Sequence, residues 1–238
     1  MTAIDDLYQA GTSTWLDDLS RERIATGNLG EVKKDKSIVG VTTNPAIFAA
    51  AMSSGTHYDD QLAELKLAGT TADTAVYAMS VKDVQDACDL FRDTYEETGG
   101  KDGRVSIEVD PRFAADEAQT IAQARELWQL VDRENLMIKI PATDESLPAV
   151  TAALAEGISV NVTLIFSVER YEAVIDAYLA GLEKAGDDVG MEFPPLGLPV
   201  GTVGSAHLRP LVPVETEPAH RLEQHPRQLP EGLHRLDL

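Results

Sequence analysis

One lysine interrupts the apolar run Leu136-Met137-Ile138-Lys139-Ile140-Pro141. A run of this composition reads as a strand buried on both faces, closed by Pro141. An ammonium group there is costly unless it is paired or loses its proton. Burial favours the neutral amine, which is the form that adds to a carbonyl to make a Schiff base. The alternative is an edge-strand lysine directed at solvent. Other polar residues sit in or at the ends of apolar segments: Asp17, Asn44, Glu108, Asn161 and Thr163. Side chains alternate across a strand, so Ser106, Glu108 and Asp110 share one face, and so do Asn161 and Thr163.

The segments that carry these residues alternate with helical ones. Strands are expected at Thr12-Ser-Thr-Trp-Leu16, at Ser37 to Pro45, at Arg104 to Pro111, at the Lys139 run and at Ile158 to Phe166. Helices are expected over 3–10, over 20–28 with Ser20 as N-cap, and over a long region of about 46–98 carrying turn signals at Ser53-Ser54-Gly55 and Gly69-Thr70. Further helices are expected over 113–134, 144–156, and from the cap Ser167 to about Lys184. Repeated βα units argue for a parallel sheet with right-handed crossovers. An open doubly wound sheet and a barrel both fit that alternation. The polar residues decide for the barrel, since several strand ends converge on one site only when the sheet closes. The fold class expected is therefore α/β, a (β/α)8 TIM-type barrel.

Net charge is −20 and the isoelectric point is near 4.5, which argues against nucleic acid or an anionic membrane as partner. Cys88 is the sole cysteine, so no intrachain disulfide or cysteine metal cage is expected. The first residues lack a basic segment followed by an apolar one, and no apolar run is long enough to span a bilayer. A cytoplasmic location is the expectation.

The text changes character near Gly186. Eight of the twelve prolines and four of the five histidines lie beyond it, and no lysine occurs after Lys184. Such aperiodic, proline-rich composition reads as loop or disorder, and only Gly197 to Val203 faintly suggests a strand. The histidines show no metal-ligand spacing. The chain divides accordingly into a barrel portion with five strands over 1–185 and an atypical Pro/His-rich tail over 186–238. A barrel left incomplete or irregular after its fifth strand would expose strand edges and an apolar interior.

Five segments in order, Trp15-Leu-Asp-Asp-Leu-Ser20, Gly40-Val-Thr-Thr-Asn-Pro-Ala-Ile-Phe48, Arg104 to Pro111, Met137-Ile-Lys-Ile-Pro-Ala-Thr143 and Ile158 to Ser167, resemble those of the transaldolase family, most closely its actinobacterial type. The resemblance covers about residues 5–185. It implies transfer of a dihydroxyacetone unit between sugar phosphates in the pentose phosphate pathway through a lysine Schiff base, without metal or organic cofactor. By that resemblance Lys139 forms the imine, and Asp17, rather than the adjacent Asp18, is the acid/base at the C4 hydroxyl. Glu108 relays protons through a water that Thr163 positions, and Asn44 and Asn161 hold the substrate. Thr43 and Thr143 are expected to serve packing or loop hydrogen bonds. Arg104 and Arg112 are unassigned cations near the third strand. The family's sixth-strand serine and its nearby phosphate-holding arginine find no counterpart after Gly186, as if the reading frame were lost between about Lys184 and Met191. Two alternatives stay open: another Schiff-base sugar-phosphate aldolase, or an inactive truncated or frame-shifted fragment of a transaldolase.

Overall fold

A computed structural model describes residues 3–186, with the short segments Pro199–Val200 and Ala206–Leu208. The remaining tail residues, including most of the Pro/His-rich stretch, lie outside the described residues. Five strands run parallel in sequential order: β1 (Thr12–Leu16), β2 (Gly40–Thr42), β3 (Arg104–Glu108), β4 (Leu136–Pro141) and β5 (Val160–Thr163). Helices cover their outer face, and the sheet curls into half of a TIM-type barrel. The expected βα alternation is borne out.

The outer face is the core. Val41, Val105, Ile107, Leu136, Ile138, Ile140, Val160 and Val162 are almost wholly buried there. They pack with residues of α6 (Ala72–Leu90), α8 (Glu117–Val131) and α9 (Leu147–Ala155), following α1 (Ala3–Gln9), α2 (Arg21–Ala25), α3 (Asn28–Asp35), α4 (Pro45–Met52), α5 (Asp59–Leu67) and α7 (Arg92–Glu97) in the chain. The last long helix, α10 (Val168–Ala185), packs on α9. Caps are local and readable. Ser20, Asn44, Thr71, Asp116 and Ser167 each accept a hydrogen bond from a backbone N–H in the first turn.

Two expectations need correction. The region 46–98 is four helices, α4 to α7, because the turns at Ser53-Ser54-Gly55 and Gly69-Thr70 each end one, and the chain breaks again at Phe91. The helix expected over 20–28 stops at Ala25, since Gly27 adopts a positive φ of 79° and a separate helix, α3, begins at Asn28.

The inner face is polar and layered. Trp15, Gly40 and Arg104 form its lowest row, Thr42, Ser106 and Met137 the next, Glu108, Lys139 and Asn161 the third, and Pro141 with Thr163 the highest. Gly40 is where it must be, because a Cβ there would lie within 2.7 Å of three atoms of the Trp15 ring. Gly40→Ala is therefore expected to destabilise the fold by about 1–3 kcal/mol through overpacking. Thermal melts check this, and an unchanged midpoint would show that the indole can move aside.

The β1 edge is taken by the tail. β7 (Ala206–Leu208) pairs antiparallel with β1 and β6 (Pro199–Val200) pairs with β7, giving the order β5-β4-β3-β2-β1-β7-β6. Proline-rich text can still supply so short a hairpin.

Candidate active site

The third row of the inner face brings Glu108, Lys139 and Asn161 side by side on three adjacent strands. Lys139 Nζ lies 3.1 Å from Glu108 Oε2 and donates to the Thr43 carbonyl, also at 3.1 Å. Both side chains of the ion pair are 13% exposed, so the lysine is sheltered in the lumen and does not point to bulk solvent. The alternative of an edge-strand lysine is thereby excluded, since β4 is flanked by β3 and β5. Burial pushes the Glu108 carboxyl above the ordinary glutamate range. The Lys139 charge and hydrogen bond pull it back, and the Asp17 charge raises it.

A polar layer below holds this row in place. Ser106 Oγ donates to Thr42 Oγ1 at 3.0 Å, and Asn161 Nδ2 donates to Ser106 Oγ at 3.3 Å. Thr43 Oγ1 donates to the Ser106 carbonyl at 2.8 Å. The hydroxyl of Thr43 thus ties β2 to β3 while its own carbonyl receives Lys139. Thr43 and Thr143 do make packing and loop hydrogen bonds, the latter donating to the Ala114 carbonyl. The Thr43 carbonyl is a contact that side-chain reasoning missed.

In this part of the lumen Asn161 Oδ1 and Thr163 Oγ1 are buried and have no hydrogen-bond partner among the described residues. Buried polar atoms are rarely left unpaired, so these are ready to bond to a bound molecule or water. Asn44 stands at the C-terminal end of β2. Its Oδ1 accepts from Ile47 N at 3.0 Å, so it caps α4. That leaves its amide N–H groups free to donate.

Asp17 and Asp18 part company. Asp18 is held by Arg23, whose Nη2 lies 2.6 Å away and whose Nε donates at 2.8 Å. Asp17 is exposed at the C-terminal end of β1, near enough for its charge to reach Glu108. Geometry thus puts Asp17, Asn44, Glu108, Lys139, Asn161 and Thr163 at one end of one curled sheet.

Neither candidate cation serves as an open anion site. Arg104 is buried in the lowest row, where Nε donates to the Gly100 carbonyl and Nη1 to Ser159 Oγ. Arg112 bridges Asp110 and Asp73. Asp110 consequently belongs to that bridge and to the cap of the Pro111–Phe113 turn.

A family model described as transaldolase/fructose-6-phosphate aldolase matches residues 14–202 of the chain. The chain belongs to this family. It is 60% identical over 183 residues to Transaldolase 1 of Streptomyces coelicolor, covering 77% of this chain and 48% of that protein. It is 61% identical over 179 residues to a transaldolase of Mycolicibacterium paratuberculosis, covering 75% and 48%. With a transaldolase of Thermobifida fusca the identity is 58% over 182 residues, covering 76% and 50%. The resemblance to actinobacterial transaldolases is borne out. The chain spans about half the length of the curated relatives it matches. Among the described residues no helix is long and apolar enough to cross a membrane.

Proposed function

We propose that the chain carries Schiff-base chemistry of the transaldolase type on sugar phosphates, with Lys139 as its nucleophile. The observation that carries this reading is the sheltered Lys139–Glu108 pair, with Asn161 and Thr163 holding unpaired buried oxygens beside it. An ion pair at rest is not yet nucleophilic. Glu108, with its carboxyl raised by burial, is a suitable acceptor for the lysine proton, giving a neutral amine and a neutral acid. The amine would attack the C2 carbonyl of a ketose phosphate, and water would leave the carbinolamine as Glu108 returns a proton. Thr163 Oγ1 is suited to hold that water.

Cleavage of the C3–C4 bond then needs a base at the C4 hydroxyl. Asp17 fits, being exposed and free of the arginine that holds Asp18. The electron pair flows into the iminium, leaving an enamine on Lys139 whose hydroxyls Asn44 and Asn161 would hold. Addition to an acceptor aldose phosphate and hydrolysis reverse the sequence. Donors of this kind are fructose 6-phosphate and sedoheptulose 7-phosphate. The acceptors are glyceraldehyde 3-phosphate and erythrose 4-phosphate.

Incubation with fructose 6-phosphate, borohydride reduction and mass spectrometry test the reading. The wild-type chain is expected to carry a three-carbon adduct on Lys139. Asp17→Asn is expected to shift the trapped species to the six-carbon adduct, since the imine forms but the bond does not break. Asp18→Asn should behave as wild type. A folded chain that yields no adduct at Lys139 overturns the reading.

A further inference from the structure

The amide of Asn161 has two unlike ends, an oxygen that accepts and a nitrogen that donates, and the end that meets the lumen decides what it can bind. Asn161 and Ser106 are both almost wholly buried. Asn161 Nδ2 donates to Ser106 Oγ at 3.3 Å, and Ser106 Oγ in turn donates to Thr42 Oγ1 at 3.0 Å. A serine hydroxyl has one proton. Given to Thr42, it leaves only lone pairs for Asn161, so only the nitrogen end of the amide can turn that way. Oδ1 stands at the other end, buried and without a hydrogen-bond partner among the described residues.

Charge favours the same orientation. Register sets Asn161 level with Lys139 on the adjacent strand, at the interstrand spacing of about 4.8 Å. An amine that becomes a protonated imine keeps a positive charge there. That charge attracts the negative end of an amide dipole and repels its N–H end. Turned over, the amide would set its N–H groups against the cation and leave its oxygen facing the lone pairs of Ser106.

We infer that Ser106, with Thr42 behind it, is a positioning residue that locks the Asn161 amide oxygen toward the substrate and so selects ketoses with a hydroxyl donor at C1. C1 is the carbon concerned because the strands lie in the order β5-β4-β3-β2-β1. With C2 on Lys139 of β4 and C4 at Asp17, just past β1, C1 falls on the β5 side, where Asn161 stands. A donor without that hydroxyl leaves a buried acceptor unpaired, and this penalty is what discriminates. The selection deepens the proposed catalysis and rests on it, whereas the orientation of the amide does not.

Two measurements separate them. The first compares kcat/KM for fructose 6-phosphate and 1-deoxyfructose 6-phosphate, with erythrose 4-phosphate as acceptor. Wild type is expected to disfavour the deoxy donor by about tenfold or more, the scale of one lost hydrogen bond whose acceptor stays buried. Ser106→Ala should lower kcat/KM for fructose 6-phosphate by about tenfold, while the deoxy donor and the acceptor KM change little. Thr42→Val keeps the volume but removes the acceptor of the Ser106 proton, and should do the same. Thr42→Ser keeps the hydroxyl and should restore discrimination. The second measurement follows hydrogen exchange of the Asn161 side-chain amide by NMR, without substrate. Slow exchange is expected in wild type and Thr42→Ser, and fast exchange in Ser106→Ala and Thr42→Val, where the N–H groups turn to the lumen. Folded variants that slow both donors alike overturn the selection, as does a wild type indifferent to the C1 hydroxyl. Fast exchange in wild type overturns the orientation. A wild type that protects the amide yet forms no adduct on Lys139 would remove the catalytic reading, and the selection with it, but support the orientation.

Discussion

Lys139→Met is expected to abolish the borohydride-trapped adduct and to lower product formation from fructose 6-phosphate and erythrose 4-phosphate by on the order of 10³-fold or more. The side chain it removes is the one amine in the third row of the lumen among the described residues, Glu108 and Asn161 beside it being unable to form an imine. Methionine keeps the volume and strands Glu108 without its cation. That would be severe if the carboxyl had to stay ionised. It does not, because burial already raises its pKa and only Lys139 holds it down. The variant therefore folds with a neutral Glu108 at acid pH. A folded-state pKa above the unfolded value contributes stability that is full below the unfolded pKa and fades as pH rises through the folded one. Removing the lysine enlarges that upward shift. The melting temperature of Lys139→Met should thus fall more steeply than that of wild type as pH rises above the ordinary glutamate range. Parallel thermal melts across that range check the sign, and a variant that gains stability with rising pH would show that Lys139 does not control the carboxyl.

The rows of the lumen explain how far the sequence could be read. A period of two along Ser106, Glu108 and Asp110, and along Asn161 and Thr163, predicts sets of side chains on one face, and the register keeps Ser106, Glu108, Asn161 and Thr163 there while Asp110 caps the following turn and pairs with Arg112. Family motifs then attached roles to them. What stayed hidden came from the backbone and from strand register. The Thr43 carbonyl that receives Lys139 has no side-chain signature, and the link from Ser106 to Thr42 and Asn161 depends on which residues of β2, β3 and β5 lie level. Helix boundaries between 46 and 98 blurred for a different reason. Propensity runs high through that region, and only local turn residues divide it. The tail gave least. A three-residue strand on β1 and a two-residue strand beside it are too short to leave a periodic signal.

Asp83→Ala is expected to cost about 3 kcal/mol of stability, because it removes the centre of a buried cluster outside the site. Asp83 is fully buried on α6. Its Oδ1 accepts from Arg21 Nε at 2.8 Å and its Oδ2 from the Tyr58 hydroxyl at 2.6 Å. The same hydroxyl accepts from the backbone N–H of Arg21 at 3.0 Å, and the guanidinium lies 4.5 Å from the centre of the Tyr58 ring. Burial raises the Asp83 carboxyl, and the hydrogen bonds from Tyr58 and Arg21 draw it back down. Removing it leaves a largely buried cation and a buried hydroxyl without their acceptor. For a domain of this size the loss corresponds to roughly 6–12 °C in melting temperature. The consequence reaches the site because Arg21 opens α2, four residues after Asp17. Loosening that helix start frees the segment that aims Asp17. Well below its melting temperature, Asp83→Ala should therefore accumulate the six-carbon adduct as Asp17→Asn does, while imine formation at Lys139 persists. Asp83→Asn keeps an acceptor oxygen for Arg21 or Tyr58 and should lie between the two. A variant that melts early yet still yields the three-carbon adduct would confine the cluster to stability and leave the aim of Asp17 to β1 itself.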